Sequence, residues 1–554
     1  MKKTYNHFAR LVTVAVFFSL ILAILIWRMV DLTVLHRQFL QGQGDARSIR
    51  VIDIPAYRGM ITDRNGTPLA VSTPVESVWV NPKEFAPDKE QFMRLAKYLN
   101  LTPKELSRKI VYAENREFVY LQRQIPPTLS KKIEALKIPG INFQKEFKRY
   151  YPDSDSISQL IGFTNVDDQG IEGIELAYQD WLMGVVGKKR VIKDRLGRVV
   201  DDLGILKEPR PGHELTLSID RRLQYLAYSE LGKTVEEFSA KSGSVVVVDA
   251  ENGEILAVAN VPSYNPNSRG HYDKETYRNR ALTDTFEPGS VIKSFSIASA
   301  LETGLFTPDT IIDTNPGWMT VHGRTVRDIH NYGVLDVTGI LQHSSNVGVT
   351  KMVLSSPPEQ LIGFLQKCGF GQRSDLGYPG ESEGGIVKAK DANPFVLATL
   401  GFGYGLSVTA LQLAKANLIF ANKGRLIPVT LIHNDTPTPG IQVIQPKTAE
   451  QVLLMMESVM NKGTGKAARI PGYRVAGKTG TARVAGKNGY KDRKYTASFI
   501  GIAPVSKPKF VVAVIIHEPS RKGYYAASVA APLFAKVMSG SLRLFNIPTD
   551  EPVG

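Results

Sequence analysis

Cysteine is almost missing: Cys368 is the single one in 554 residues, which rules out an intramolecular disulfide. It lies in the mostly apolar stretch Gly363-Phe364-Leu365-Gln366-Lys367-Cys368-Gly369-Phe370 with no histidine or basic cluster beside it. That context suits a small packed hydrophobe rather than a reactive thiol. C-x-x-C pairs, an RNP-like aromatic motif and any concentrated Lys/Arg tract are also missing. The net charge of +15, from 68 Lys+Arg against 53 Asp+Glu, therefore lacks the features that accompany nucleic-acid binding. A basic surface beside anionic polymers or lipid headgroups accounts for it as well. No internal repeat or low-complexity tract is present. A hydrophobic share of 43% and a charged share of 22% are those of a folded chain. At this length one core does not suffice, so two or three modules are expected.

Long apolar runs are also scarce, and the exception is near the N-terminus. Leu11 to Trp27 carries no charge over 17 residues and is bracketed by Arg10 and Arg28. At ~1.5 Å per residue the run, extended by Met29 and Val30, spans a hydrocarbon core of roughly 30 Å. Lys2, Lys3 and Arg10 precede it, so residues 1–10 are expected to stay cytoplasmic. A cleaved signal peptide shares the basic start and apolar centre. No small-x-small site follows closely, however, and Trp27-Arg28-Met29 is a poor cleavage context. The expectation is an uncleaved anchor at 11–30, with everything beyond outside the membrane.

Residues 31–211 are mixed and charged. Glu76 to Val80 reads as strand, Asp63-Arg64-Asn65-Gly66 as a turn between strands, and Lys89 to Leu99 as helix. Lys207-Glu208-Pro209-Arg210-Pro211-Gly212 has the composition of a linker. In the second module, 212–545, Asp220 can cap a helix carrying Leu223, Leu226, Ala227 and Leu231 on one face. Strands are expected at Gly243–Asp249, Glu254–Ala259, Tyr473–Ala482, Thr496–Ala503 and Phe510–His517, with a helix over Ala526–Phe545 and a short tail at 546–554. A sheet drawn from both ends of a module, with helices between in sequence, implies a layered α/β or α+β domain.

Three short motifs occur in one order: S-x-x-K at Ser290-Val291-Ile292-Lys293, S-x-N at Ser344-Ser345-Asn346, and K-T-G at Lys478-Thr479-Gly480. Each alone is weak, because the chain also holds Ser506-Lys507-Pro508-Lys509, Ser263-Tyr264-Asn265 and Lys241-Ser242-Gly243. Only the set at 290, 344 and 478 runs in order. Glu287-Pro288-Gly289 makes a turn and the apolar pattern Ile292, Phe295, Ala298 follows, which puts Ser290 at a helix start facing unpaired N–H groups. Lys293 shares its face and lies within reach of the Ser290 hydroxyl. Serine needs a neighbouring base. A lysine serves only when burial or a second cation pulls its pKa well below ~10.4, and Lys478 supplies that cation. On the 478 strand, Thr479 and Thr481 point one way and Lys478 the other, so the two hydroxyls suit a substrate carboxylate. Gly480, lacking a side chain, is expected to let substrate lie close to the strand. The N–H groups of Ser290 and Thr481 form an oxyanion pair. Ser344 can relay protons to a leaving amine, and Asn346 can hold a substrate amide. The plainer readings are a helix cap with a solvated lysine at 290, an edge strand at 478 and an N-cap before Val347.

These residues resemble the active site shared by penicillin-binding enzymes and serine β-lactamases. The likeness extends to Arg58-Gly59-Met60-Ile61-Thr62-Asp63-Arg64-Asn65-Gly66, Tyr151-Pro152, Gly170-Ile171-Glu172-Gly173-Ile174-Glu175 and Asp194-Arg195-Leu196-Gly197-Arg198. These are similar to the pedestal of class B penicillin-binding proteins. Phe286-Glu287-Pro288-Gly289-Ser290 and Gly403-Tyr404-Gly405 resemble stretches flanking that family's catalytic site. Tyr524-Tyr525-Ala526-Ala527 departs from it, since the family usually has Gly-Gly after the tyrosine. The resemblance runs from the anchor to about residue 545 and is strongest to the division-specific branch.

It implies an α+β multidomain chain: one transmembrane helix, a mixed α/β pedestal at 31–211 and a penicillin-binding/β-lactamase-like transpeptidase domain. The implied activity is a serine D-Ala-D-Ala transpeptidase acting on peptidoglycan stem peptides in septal wall synthesis, acylated by β-lactams, without cofactor or metal. The implied partners are a membrane-embedded glycan polymerase and other division proteins, and the implied site is the periplasmic face of the inner membrane. The alternatives are a β-lactamase or β-lactam sensor on the same fold, and a non-catalytic scaffold. Against the first, none of Glu359, Glu381, Glu383, Glu450 and Glu457 has Asn three residues later. The intact motif set speaks against the second.

Overall fold

The structure, a computed structural model, describes residues 7–551 apart from 113, 195–198, 271, 435, 437 and 485–493, and apart from the side chains of 41 and 44–47. Most of the family-like stretch ending at Arg198, and parts of both tails, thus lie outside the described residues. Helix α1 (His7–Val30) continues in a π-helical turn through Leu35. Among the described residues, His7–Leu35 is the one helix long and apolar enough to cross a membrane. Its polar end is gathered at Asp31, whose carboxylate takes Arg28 at 2.6 Å and His36 Nδ1 at 2.7 Å.

The chain divides into two compact units. The first spans residues 1–57, 74–147 and 184–212. Its core is small and apolar: Val78, Val80, Leu95, Leu99, Leu106, Leu121, Ile125, Ile133 and Ile138. The helix expected near residue 89 runs Lys89–Tyr98. Asp88 accepts the Gln91 N–H while the Gln91 side chain accepts the Asp88 N–H, a reciprocal cap that satisfies two otherwise orphaned donors. The segment read as a linker is more ordered than its composition suggests. Lys207 ends a strand, Val199–Lys207, and Arg210 exchanges both backbone bonds with Val185 at 2.7 and 2.9 Å. Two prolines leave Arg210 N–H free to pair because neither sits at the bonded position.

The second unit spans 58–73, 148–183 and 213–554. The Asp63–Gly66 turn forms as expected: Asp63 N–H bonds the Thr67 carbonyl at 2.8 Å and Gly66 takes φ +78°. Asp220 caps α2 (Arg221–Glu237), accepting the N–H groups of Arg222 and Leu223. Strands β1 (Ser242–Asp249) and β2 (Ile255–Val261) follow. Helices α3 (Lys293–Glu302), α4 (Val337–His343), α5 (Asn346–Val353), α6 (Ala410–Ala421) and α7 (Pro446–Asn461) come next. The chain then returns as β3 (Ala476–Arg483), β4 (Tyr495–Ala503), β5 (Phe510–His517) and α8 (Ala526–Leu544). The sheet order is β2-β1-β5-β4-β3, antiparallel throughout. That settles the α/β-or-α+β alternative as α+β.

Val245 to Val248 are all fully buried, as a strand covered on both faces demands. The two covering layers can be told apart by their contacts. Gly501 faces Phe534 of α8, and its cross-strand partner is Gly477. Gly480 stands three positions along β3, hence on the opposite face, against Pro288 and Val291. Among the described residues β3 is the edge strand, so one row of its backbone groups has no strand partner there.

Candidate active site

The turn that carries Ser290 is built from a contact between two glycines. Gly289 has φ +58° and Gly403 φ +89°, and the Gly289 N–H bonds the Gly403 carbonyl at 3.1 Å. A Cβ on Gly403 would lie 2.0 Å from the Gly289 carbonyl oxygen, so no other residue fits there. Phe286 and Val408 exchange backbone bonds at 3.0 Å, and Glu287 accepts the Gly405 N–H at 3.0 Å. The two family-like stretches at 286–290 and 403–405 are thus the two sides of one joint. From it, Gly289–Ile292 forms a 3₁₀ turn leading into α3. Ser290 is half-buried, and its hydroxyl makes no hydrogen bond among the described residues.

Lys293 and Lys478 are both 0% exposed and converge on one hydroxyl. Lys293 Nζ donates to Ser344 Oγ at 3.1 Å, to Asn346 Oδ1 at 2.7 Å and to the Ser344 carbonyl. Lys478 Nζ donates to Ser344 Oγ at 3.1 Å and to the Thr479 carbonyl at 3.2 Å. Among the described residues neither lysine has a carboxylate within ion-pair range. Burial pulls Lys478 down to about 7. Burial, then the neighbouring Lys478, hold Lys293 well below its usual value, while Asp328 opposes them. A buried ammonium without a counter-ion gives up its proton readily.

Ser344 ends α4 at φ +57°, an uncommon conformation for a residue with a side chain. Ser345, not Ser344, caps α5 by accepting the Gly348 N–H at 2.9 Å. The S-x-N motif is therefore a joint between two helices. The Asn346 carboxamide is engaged at both ends, its Oδ1 by Lys293 and its Nδ2 by the Arg327 carbonyl at 2.7 Å. On β3, Thr479 Oγ1 meets Thr464 Oγ1 at 2.8 Å, and Thr481 Oγ1 accepts the Ala526 N–H at 3.0 Å. Thr464 and Asp328 carry no signal in the sequence, and Ala526 stands out there only as part of the Tyr524-Tyr525-Ala526-Ala527 departure, with no site role assigned to it. Thr464 and Ala526 lie 15 and 45 residues from their partners, too far for a local pattern to show the contact. Beside Ala526, Tyr524 stacks between Tyr495 (3.9 Å) and Tyr525 (4.5 Å).

Gly480 differs from expectation. A Cβ there would meet Ser498 Oγ at 2.5 Å, the Pro288 carbonyl at 2.6 Å and Val291 at 2.7 Å. The open side faces the protein interior, and the missing side chain lets β3 close on the turn bearing Ser290 rather than on a ligand. Gly480→Ala is expected to destabilise by about 1–3 kcal/mol through overpacking and to slow acylation. Thermal melting and β-lactam labelling of the variant check both effects.

The rival motif copies are all held in structural contacts. Lys509 pairs with Asp249 at 2.9 Å and Glu251 at 2.6 Å, and Lys241 with Glu518 at 3.3 Å. Ser263 donates to the Asp155 carbonyl at 2.6 Å and shares a bond with Ser158 at 2.9 Å. Cys368 is fully buried, its thiol pushed well up by burial, in keeping with a packing role.

The Penicillin binding protein transpeptidase domain family matches residues 243–539, and the Penicillin-binding Protein dimerisation domain family matches residues 53–217. The chain is 44% identical over 525 residues to PbpC of Pseudomonas aeruginosa, named a probable peptidoglycan D,D-transpeptidase, covering 95% of this chain and 93% of that one. It is 42% identical over 537 residues to the peptidoglycan D,D-transpeptidase FtsI of Escherichia coli, covering 96% and 91%. Among solved structures, a peptidoglycan synthetase from Bifidobacterium adolescentis is similar with a TM-score of 0.72 at 27% identity, over 91% of this chain and 98% of that one. With both domains matched and relatives aligned over nearly the full length, the chain belongs to the class B penicillin-binding proteins.

Proposed function

We propose that the protein is a peptidoglycan D,D-transpeptidase whose acyl-enzyme forms on Ser290. The observation that carries this is the convergence on Ser344 Oγ of two buried lysines, neither with a carboxylate partner among the described residues. Neutral Lys293 takes the Ser290 proton as Oγ adds to the carbonyl of the penultimate D-Ala of a D-Ala-D-Ala stem. Charged Lys478, with the Thr479 and Thr481 hydroxyls, holds the terminal carboxylate. Thr481 already accepts from Ala526, which leaves its own proton to donate. The backbone N–H groups of Ser290 and Thr481 stabilise the oxyanion, one such donor being worth ~3 kcal/mol. Ser344 passes the proton to the departing D-Ala amine. An acceptor amine on a neighbouring stem then attacks the ester and restores Ser290. A β-lactam would follow the same first half and stop at the acyl-enzyme. Asn346, tied to Lys293, orients that base and receives the substrate amide along its edge, while Gly480 contributes its backbone.

In this reading residues 31–211 are the pedestal, of which 58–73 and 148–183 fold within the second compact unit, and 212–545 are the transpeptidase domain, held by an anchor at 11–30 whose basic N-terminal flank stays cytoplasmic. The catalytic domain then works in the periplasm, in septal wall synthesis, beside a membrane-embedded glycan polymerase and other division proteins. The test is labelling with a fluorescent penicillin. Wild type is expected to label, and Ser290→Ala to fold with an unchanged melting temperature and take no label. An unlabelled wild type, or rapid repeated turnover of the drug, would sink the proposal.

A further inference from the structure

The strands Trp318–Val321 and Arg324–Arg327 form a hairpin whose register pairs Trp318 with Arg327, Met319 with Val326 and Thr320 with Thr325. Its turn, His322-Gly323, takes positive φ at both residues, the conformation that matches the twist of two paired strands. Alternation gives the ribbon two faces. Met319, Val321 and Val326 turn inward into a small cluster with Ala398, Phe395 and Phe402. Trp318, Thr320, Thr325 and Arg327 are left on the outer face, all exposed. Trp318 is 48% exposed, although tryptophan is usually well buried. Between Trp318 and Gly333 the basic side chains and histidines are His322, Arg324, Arg327 and His330, against one acid, Asp328. Arg324 lies over the Phe395 ring at 5.0 Å. The Asp328 carboxylate is taken up by the Ser345 hydroxyl at 2.6 Å and by the N–H groups of Asn346 and Val347 at the start of α5. Among the described residues Arg327 has no carboxylate within ion-pair range, and the Trp318 ring meets no other ring.

This face adjoins the catalytic joint. The Arg327 carbonyl accepts Asn346 Nδ2 at 2.7 Å. Beyond it His330 meets the edge of Tyr332 at 6.1 Å, and Tyr332 stacks at 5.0 Å on His343, the residue before Ser344. The supporting loop is fixed by its backbone: the Asp328 N–H bonds the Gly317 carbonyl at 2.9 Å, and the Thr314 N–H bonds the Gly333 carbonyl at 2.8 Å. A surface held this way has little freedom left to lose on binding.

We propose that Trp318 and Arg327 form the subsite for the acceptor stem, Arg327 binding a carboxylate of that acidic peptide and Trp318 packing on its apolar stretch. The inference rests on the acyl-enzyme reading above. There β3 and Lys478 hold the donor's terminal carboxylate, and the first amine departs beside Ser344. The second amine enters where the first left, because the same groups handle its proton in reverse. Its nitrogen bonds the acyl carbon as the ester bond to Ser290 breaks, and its proton returns to Ser290 Oγ through Ser344 and Lys293. The rest of the acceptor then lies outward from Ser344 and Asn346, where the hairpin offers its outer face. Any stem that still ends in D-Ala carries a free carboxylate, so the acceptor is anionic whichever amine it presents. The guanidinium fork matches a carboxylate, and Trp and Arg are the side chains enriched at binding hot spots.

The experiment acylates the full-length protein with a thioester donor peptide and offers two synthetic acceptor peptides with the same amine, one with free carboxylates and one with each converted to its amide. Mass spectrometry of the products gives the ratio of aminolysis to hydrolysis as acceptor is raised, a ratio that does not depend on how fast the acyl-enzyme forms. Wild type is expected to reach half-maximal aminolysis at about tenfold less of the carboxylated acceptor, the scale of a charge-assisted hydrogen bond. Arg327→Gln should erase that preference by weakening the carboxylated acceptor alone, and Trp318→Ala should weaken both. Arg327→Gln keeping the wild-type preference would overturn the proposal. So would an equal loss for the two acceptors in Arg327→Gln, which is what a merely structural role would produce. Wild type that shows no aminolysis, or no preference, would overturn it too. Fluorescent-penicillin labelling of the same wild-type sample separates the two readings: no label removes the acyl-enzyme, whereas label with unmoved ratios removes the acceptor subsite alone.

Discussion

Lys293→Met is expected to acylate ~10³-fold more slowly than wild type, within the range that a positioned general base contributes. The substitution removes the α3 amine that bonds Ser344 Oγ while keeping an unbranched apolar stem in a fully buried slot. A second consequence appears in the wild-type pH profile. Lys293 bears the added repulsion of Lys478, so it loses its proton first on raising pH, and Lys478 follows at about 7. The productive form, neutral Lys293 beside charged Lys478, is confined between the two. The second-order rate should therefore be bell-shaped, rising as Lys293 deprotonates and falling through about 7 as Lys478 does. At saturating ligand the bound carboxylate favours charged Lys478, which should move the falling limb to higher pH. Stopped-flow acylation across pH, at limiting and saturating drug, measures both limbs.

The same burial has a cost in stability, with a definite sign. A lysine whose folded pKa is depressed binds fewer protons folded than unfolded between about 7 and the unfolded value near 10.4. Stability thus rises with pH across that window, and the penalty is fully present below about 7. Removing the charge in Lys478→Met should stabilise the fold by about 3 kcal/mol at pH 6, after allowing ~1 kcal/mol for each lost hydrogen bond. The gain should shrink toward pH 10. Denaturant unfolding at several pH values reads this slope directly.

Much of this centre is legible in the sequence because its chemistry is local. Ser290 and Lys293 lie one helical turn apart, Ser344 and Asn346 flank one helix joint, and Lys478 to Thr481 share one strand. The strand at Val245–Val248 and the cap at Asp220 are legible for the same reason. Tertiary contacts made by ordinary-looking residues are not. Nothing in Arg327-Asp328-Ile329 marks a carboxylate that holds a helix start, and the glycine pair at 289 and 403 is visible only once the chain has folded back. Gly480 shows the subtler failure. The motif pointed to the right residue with the wrong reason, because sequence does not say which side of an edge strand is crowded. The Lys207–Gly212 stretch failed in the other direction, since proline and glycine mark turns whether or not the residues between them pair.

Glu175→Ala is expected to destabilise the second unit by about 3–5 kcal/mol, the cost of leaving buried charges unpaired. Glu175 is 0% exposed, Arg58 1% and Arg149 5%. Glu175 Oε2 takes Arg58 Nε and Oε1 takes Arg149 Nε, both at 2.6 Å. Arg58 is further bound by the Glu175 carbonyl at 2.6 Å, Gln179 Oε1 at 2.8 Å and the Asp168 carbonyl at 3.2 Å. Arg149 reaches Ser72 at 3.2 Å. The family-like stretches beginning at Arg58 and ending at Glu175 are therefore one structure, two guanidinium groups closed on a single carboxylate across 117 residues of sequence. Truncating the acid takes the ion-pair partner from two buried cations and leaves Asp168, whose carboxyl feels both guanidinium groups, as the acid beside them. Replacing Arg149 instead leaves the Arg58–Glu175 pair intact, so Arg149→Met should cost clearly less than Glu175→Ala. Two arginines share one acid, and only the acid is indispensable to both. Urea unfolding of the two variants decides it, and equal losses would show that the three residues do not act as a charge cluster.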